Sequence, residues 1–124
     1  MTLLDTSVII AFLRGDEKIV ALIKEASLKN NLKTTTITEY ELLKYKDEIG
    51  KNAAEKFLSH TTIIPFDRAA AQKAAVLFQE LQDAGQMINE NDLLIAGVAL
   101  TQNEVLLTRD KKLAKLHKHN IKIV

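Results

Sequence analysis

The sequence predicts an α/β protein, a three-layer α/β/α sandwich built on a small central parallel sheet. Three observations lead there. Short β-branched or leucine-rich runs alternate with longer stretches of helical period, the pattern of βαβ units. The alternation runs the whole length without a low-complexity segment, a repeat or a hinge-like linker, and the 124 residues hold one proline and four glycines. That length suits one domain with a substantial core, so residues 1–124 are read as a single domain.

Each element has a local reason. Residues 2–5, TLLD, read as a first strand, and 6–13, TSVIIAFL, as a short helix ended by Arg14-Gly15. Asp16 is placed to cap a second helix over 17–30, whose Ile19, Leu22, Ile23 and Ala26 share one face. That stripe reads as core in preference to a partner-binding face. The run LKTTTI at 32–37 is β-branched and predicts a strand. Helices follow over 38–49 and 52–60. TTIIPF at 61–66 is a third strand, and Asp67 caps the Ala-rich helix 68–85. A further helix covers 90–103, a fourth strand 104–108, a last helix 111–120, and IKIV at 121–124 is a terminal strand.

Composition narrows the function. Seventeen basic residues nearly balance sixteen acidic ones, so the chain is no cationic glove, and nucleic-acid contact has to rely on local patches. The absence of cysteine excludes disulfides, thiolate metal sites and cysteine nucleophiles, and fits a reducing cytoplasm. No basic n-region opens the chain, and no apolar run approaches the roughly 18 residues of a membrane span. The expectation is a soluble, cytoplasmic protein with no membrane partner.

In parallel sheets, function lies beyond the C-terminal ends of the strands. Four acids occupy such places or adjoining helix starts: Asp5, Glu41, Asp92 and Asp110. Each has a purely structural explanation, because acids are favoured at helix N-termini. Asp5 could cap the helix at Thr6, Asp110 the last helix, and Thr38 to Glu41 fits capping-box spacing. Asp67 reads as a cap and nothing more. Two details favour a shared site. From Leu93 to Leu100 every residue is apolar or glycine, so Asp92 sits at the rim of a helix covered on more than one face. Asn89 or Asn91 could do the capping there. If the first, second and fourth strands are neighbours, their acids meet at one edge. Clustered carboxylates either take up protons or hold a cation. Oxygen donors without cysteine or a well-placed histidine suit Mg²⁺ or Mn²⁺, and such an ion assists hydrolysis of a phosphate ester.

The segments DTS at 5–7, ITEYELL at 37–43, NDLLIAGVAL at 91–100 and LLTRD at 106–110 together resemble the PIN-domain family, in particular VapC-type toxin ribonucleases. The likeness covers the whole chain in order. No single motif is specific, and NDLLIAGVAL is the best of them. The resemblance implies an acidic pocket binding Mg²⁺ or Mn²⁺, with Asp5, Glu41, Asp92 and Asp110 catalytic and Asp5, Asp92 and Asp110 as metal ligands. It implies supporting hydroxyls at Thr6, Ser7 and Thr108. It further implies endonucleolytic RNA cleavage leaving a 5′-phosphate and a 3′-hydroxyl, a homodimer, and a blocking antitoxin in a type II toxin–antitoxin pair. Two departures stand out: Tyr45 where the family often has glycine after the glutamate, and Leu113 where an aromatic is common in the last helix.

Two other functions fit the sequence. One is a receiver-like phosphoacceptor using Asp67. The other is a PIN-like scaffold that binds RNA or protein without cutting. His60, His117 and His119 read as surface residues. Lys44, Lys46, Lys111, Lys112, Lys115 and Lys118 could meet RNA phosphates or simply be solvated.

Overall fold

The computed structural model describes residues 2–29, 32–44, 47–116 and 119–124, residue 49 by its backbone alone. Tyr45, Lys46, His117 and Lys118 lie outside the described residues. Strands β1 (Thr2–Leu4), β2 (Lys33–Thr35), β3 (Thr62–Ile64), β4 (Val105–Thr108) and β5 (Ile121–Ile123) form one sheet in the order β3-β2-β1-β4-β5. Every pairing is parallel. The expected sandwich is what the chain adopts, with the first, second and fourth strands side by side.

Period-2 alternation splits the sheet's side chains between two cores. Leu3 and its register partner Leu106 point to one face and pack with Leu77 of α5 (Arg68–Asp83) and with Ile95 and Val98 of α6 (Glu90–Thr101). Leu4 and Leu107 point to the other. They meet Val8 and Ile9 of α1 (Thr6–Leu13), Ile19 and Ile23 of α2 (Glu17–Lys29) and Phe57 of α4 (Glu48–Ser59). Each fully buried leucine or isoleucine contributes roughly 1.5–3 kcal/mol. The stripe at Ile19 and Ile23 is therefore core. Leu113, in the 3-10 turn Lys111–Leu116, is buried in the α5–α6 core.

Local chemistry sets the boundaries, and several differ from expectation. The strand expected over 32–37 stops at Thr35, whose hydroxyl accepts from Thr38 N–H at 3.1 Å and so caps α3 (Thr36–Leu43). Thr36 and Ile37 are thus helical despite their branching. The helix expected over 38–49 ends at Leu43, and α4 starts at Glu48 because Asp47 accepts from Gly50 N–H at 3.2 Å. Of the helix expected over 111–120, the described residues Lys111–Leu116 form a 3-10 turn. The α1–α2 junction follows expectation. Gly15 takes φ +83°, Asp16 N–H closes back on Ala11 C=O, and Asp16 then caps α2 through Ile19 N–H.

The topology corrects the receiver-like alternative. Receiver-type sheets run 2-1-3-4-5, whereas β1 here lies between β2 and β4. Asp67 is occupied as a cap, its carboxylate accepting from Ala70 N–H at 2.9 Å. Among the described residues, no helix is long and apolar enough to cross a membrane.

One contact brings α6 close against α5. A Cβ added at Gly97 would lie 2.8 Å from Ala70 O and 3.0 Å from Ala74 Cβ, so α5 and α6 cross with almost nothing between them. Leu93, Ile95, Ala96, Val98 and Ala99 are buried around this crossing. Gly97→Ala gains up to ~1 kcal/mol of helix propensity but must push back a backbone carbonyl, an overpacking cost of about 1–3 kcal/mol. Urea unfolding should show a net loss of up to about 2 kcal/mol; a raised midpoint, with the propensity gain realised in full, would mean the two helices separate freely.

Candidate active site

The chain moves outward from β1 to β2 and β3, then returns to place β4 on the other side of β1. The crevice beyond the C-terminal ends of β1 and β4 is thus the switch point of the sheet, where open α/β folds bind ligands. Asp5 leaves β1 at this point, with its N–H donating to Leu107 C=O at 2.9 Å. Thr108, Arg109 and Asp110 leave β4 beside it.

Asp5 is buried, at 1% exposure. It stands in the N-cap position of α1 yet makes no side-chain cap bond. Its Oδ2 accepts instead from Ser7 Oγ at 2.9 Å and from Thr108 Oγ1 at 2.7 Å. Those hydroxyls are themselves held: Arg109 N–H donates to Ser7 Oγ at 3.0 Å, and Asp110 N–H donates to Thr108 Oγ1 at 3.0 Å. Two backbone amides of the β4 loop thereby aim two hydroxyls at one carboxylate oxygen. The other oxygen, Oδ1, is buried with no partner among the described residues.

Glu41 is not the second half of a capping box, a correction that follows from α3 starting earlier than its sequence suggests. Thr38 lies inside the helix, and Glu41 reaches across the site. Its Oε1 accepts from Thr6 Oγ1 at 2.6 Å and its Oε2 from Asn91 Nδ2 at 3.3 Å. The Thr6 hydroxyl also lies 2.9 Å from Thr38 Oγ1. Asp92 is freed from capping because Asn89 takes that role, accepting from Asn91 N–H at 2.9 Å. Asp110 does act as a local cap, its Oδ1 accepting from Lys112 N–H at 2.9 Å.

The four carboxylates act on one another. Burial pushes the half-buried Asp92 carboxyl up to about 7, and the charge of Asp5, a hydrogen bond with Asp110, and the charges of Asp110 and Glu41 add to the rise. Asp92 therefore faces all three other acids. Burial also raises Asp5; the hydrogen bonds from Thr108 and Ser7 oppose this, and the Glu41 charge adds to it.

A family model described as PIN domain matches residues 2–118. The chain belongs to the PIN domain family. Solved structures carry the same fold over its whole length. FitAcB from Neisseria gonorrhoeae is 26% identical with a TM-score of 0.81, over 98% of this chain and 96% of that one. VapBC-1 from nontypeable Haemophilus influenzae is 25% identical with a TM-score of 0.82, over the same shares. VapBC2 from Rickettsia felis, solved bound to a DNA fragment from its promoter, is 24% identical with a TM-score of 0.88, over 98% and 97%. No curated protein matches the chain.

Among the described residues of this PIN domain, no three carboxylates or imidazoles stand close enough to form a ready-made cation cage. The donor set still fits a hard divalent ion. One Asp5 oxygen is buried and unpartnered, the donors are oxygens, and without a counter-ion like charges move apart or share a proton. The rise of Asp92 to about 7 is that second outcome, a proton kept among crowded acids. Sequence reasoning passed over Asn91 and Thr38 as members of the site. Thr38 lies one helical turn before Glu41 and Asn91 directly precedes Asp92, and those spacings are the signal. His60 is exposed and His119 pairs with Glu80 at 3.1 Å, both away from the acids. Lys44 lies over the Tyr40 ring, Lys115 donates to Met87 C=O at 3.2 Å, and Lys111 and Lys112 are exposed.

A raised folded-state pKa means stability present at low pH and lost as pH rises through that value. In chelator, the unfolding free energy should fall between about pH 4 and 8, with Asp92 contributing roughly 1–2 kcal/mol after allowance for its solvent exposure. Asp92→Asn should remove most of that slope in urea unfolding, and an unaltered slope would show that Asp92 is not under strain.

Proposed function

We propose that this PIN domain is a Mg²⁺- or Mn²⁺-dependent endoribonuclease, the toxin of a type II toxin–antitoxin pair. The observation that carries the reading is the unpartnered Asp5 oxygen at the switch point, facing a set of acids that load their charge onto Asp92. Asp5, Asp92 and Asp110 would hold the cation, which supplies Lewis acidity at a phosphodiester. The chain's own groups do the rest. Ser7 and Thr108 fix the Asp5 carboxylate through one oxygen and leave the other for the ion. Thr6 and Asn91 fix Glu41 on both oxygens, aimed at the same edge to take a proton from the attacking water. Water oxygen bonds to phosphorus as the bond to the 3′ oxygen breaks, giving a 5′-phosphate and a 3′ oxygen that takes a proton from solvent to become the 3′-hydroxyl.

Two of the similar structures are named as toxin–antitoxin systems, one from Klebsiella pneumoniae and VapBC-5 from Mycobacterium tuberculosis, and this supports an antitoxin as the protein partner. An open groove between α1, α2 and α4, with the half-buried Phe12 and Leu13 on its wall, offers apolar surface to such a partner. For the homodimer, support comes from the exposed Phe78 on α5, which shares a face with Ala71 and Ala75 along an open groove. A non-cutting scaffold would have no use for four intact acids sharing one crevice.

Single-stranded RNA incubated with the protein should be cut in Mn²⁺ and spared in chelator. Asp5→Asn should lower the rate by at least ~100-fold while keeping the fold, because an amide oxygen still accepts from Ser7 and Thr108. Wild-type activity in Asp5→Asn would end the proposal. In a thermal melt, Mn²⁺ should raise the wild-type Tm through binding to the folded state alone and leave Asp5→Asn unmoved.

A further inference from the structure

Beside the acids lies an open cavity of about 610 Å³, within the ~300–1,000 Å³ of small-ligand sites. Ser7, the hydroxyl that holds Asp5, is on its wall, and Arg14, Asp16 and Arg109 form its rim over Ile10 and Ala11. Arg109 is fixed across the opening by an ion pair with Asp16, 2.8 Å from Nη1 to Oδ2. Asp16 is in turn fixed by capping α2, its Oδ1 accepting from Ile19 N–H at 3.2 Å. The ion pair uses one of the five guanidinium donors, and the other guanidinium donors have no partner among the described residues. Arg14 is exposed at the end of α1.

A cluster of carboxylates repels a polyanion, so the strand must be drawn in by cations next to the cluster. We propose that this cavity is the subsite for the nucleotide adjoining the scissile phosphate: the Arg109 fork, set by Asp16, takes that nucleotide's phosphate, Arg14 stands at the rim, and the sugar and base lie over Ile10 and Ala11. The inference rests on the ribonuclease reading and adds the side from which RNA enters. Arginine suits the task because its planar fork meets phosphate oxygens in pairs and a held fork loses little freedom on binding. Asp16 is a positioning residue.

The test is steady-state cleavage of a single-stranded RNA oligonucleotide in Mn²⁺ across about 50–200 mM salt. Arg109→Gln should raise KM about tenfold with kcat within about twofold, and should flatten the plot of log kcat/KM against log salt by about 0.7, the loss of one phosphate contact on a single strand. Arg109→Lys should recover the salt slope but only part of the KM. Arg14→Gln, a change at an exposed side chain that leaves folding untouched, should raise KM about threefold. An unchanged slope in Arg109→Gln with wild-type cleavage intact would overturn the subsite alone. So would a fall in kcat together with loss of the Mn²⁺-induced Tm shift, because Arg109 would then act only through Ser7 and Asp5. Failure of the wild type to cut RNA would overturn the ribonuclease reading and the subsite with it.

Discussion

The site depends on a single buried carboxylate. Asp5 is placed where water cannot solvate it, and an ionised group there is costly unless paired. The chain meets half of that cost with two hydroxyls on one oxygen, each locked by an amide of the β4 loop. The second oxygen has no partner among the described residues. The remaining acids stand where they make the deficit worse, and the strain collects on Asp92. A fold selected for stability alone would place an asparagine or a serine at one of these positions. The arrangement makes physical sense as a place for a positive ion, with a shared proton as its substitute.

The rest of the fold serves to hold the acids at that edge. Alternating leucines in β1 and β4 anchor the two central strands in both cores at once, so the ends of those strands have little freedom. The close crossing at Gly97 sets the height of α6 against α5, and Asp92 opens α6 a little over one turn earlier. Glu41 comes from α3, which starts at Thr35 through a cap and lies against α6. Four segments distant in sequence are thereby brought to one crevice, each by a separate local device.

Much of this was legible in the sequence. The strand and helix order, the role of Ile19 and Ile23 as core, the cap at Asp67 and the end of α1 at Gly15 all follow from local periodicity and turn chemistry. The missed boundaries share a cause. Thr34 to Ile37 is a β-branched run whose local preference is extended, but the Thr35 cap and a bond from Phe66 N–H to Thr36 Oγ1 turn it into a helix start. Asp47 gave a cap signal that the helical period of the flanking residues hid. At the site, the acids were visible by type and position, whereas their supports were not. Thr38 and Asn91 offered adequate capping roles in sequence, and only the side-by-side placement of α1, α3 and α6 shows where their side chains go. The strand order that makes β1 and β4 neighbours was a condition the sequence could pose and the structure had to meet.

The central claim is that a divalent ion replaces a proton held among these carboxylates. Titrating Mn²⁺ into the protein near pH 6 in weak buffer, with the released protons counted, tests it directly. Because Asp92 is pushed up to about 7, saturable binding should expel about one proton per site, and Asp92→Asn should expel almost none. Saturable binding with no proton release, or equal release from the variant, would contradict the account.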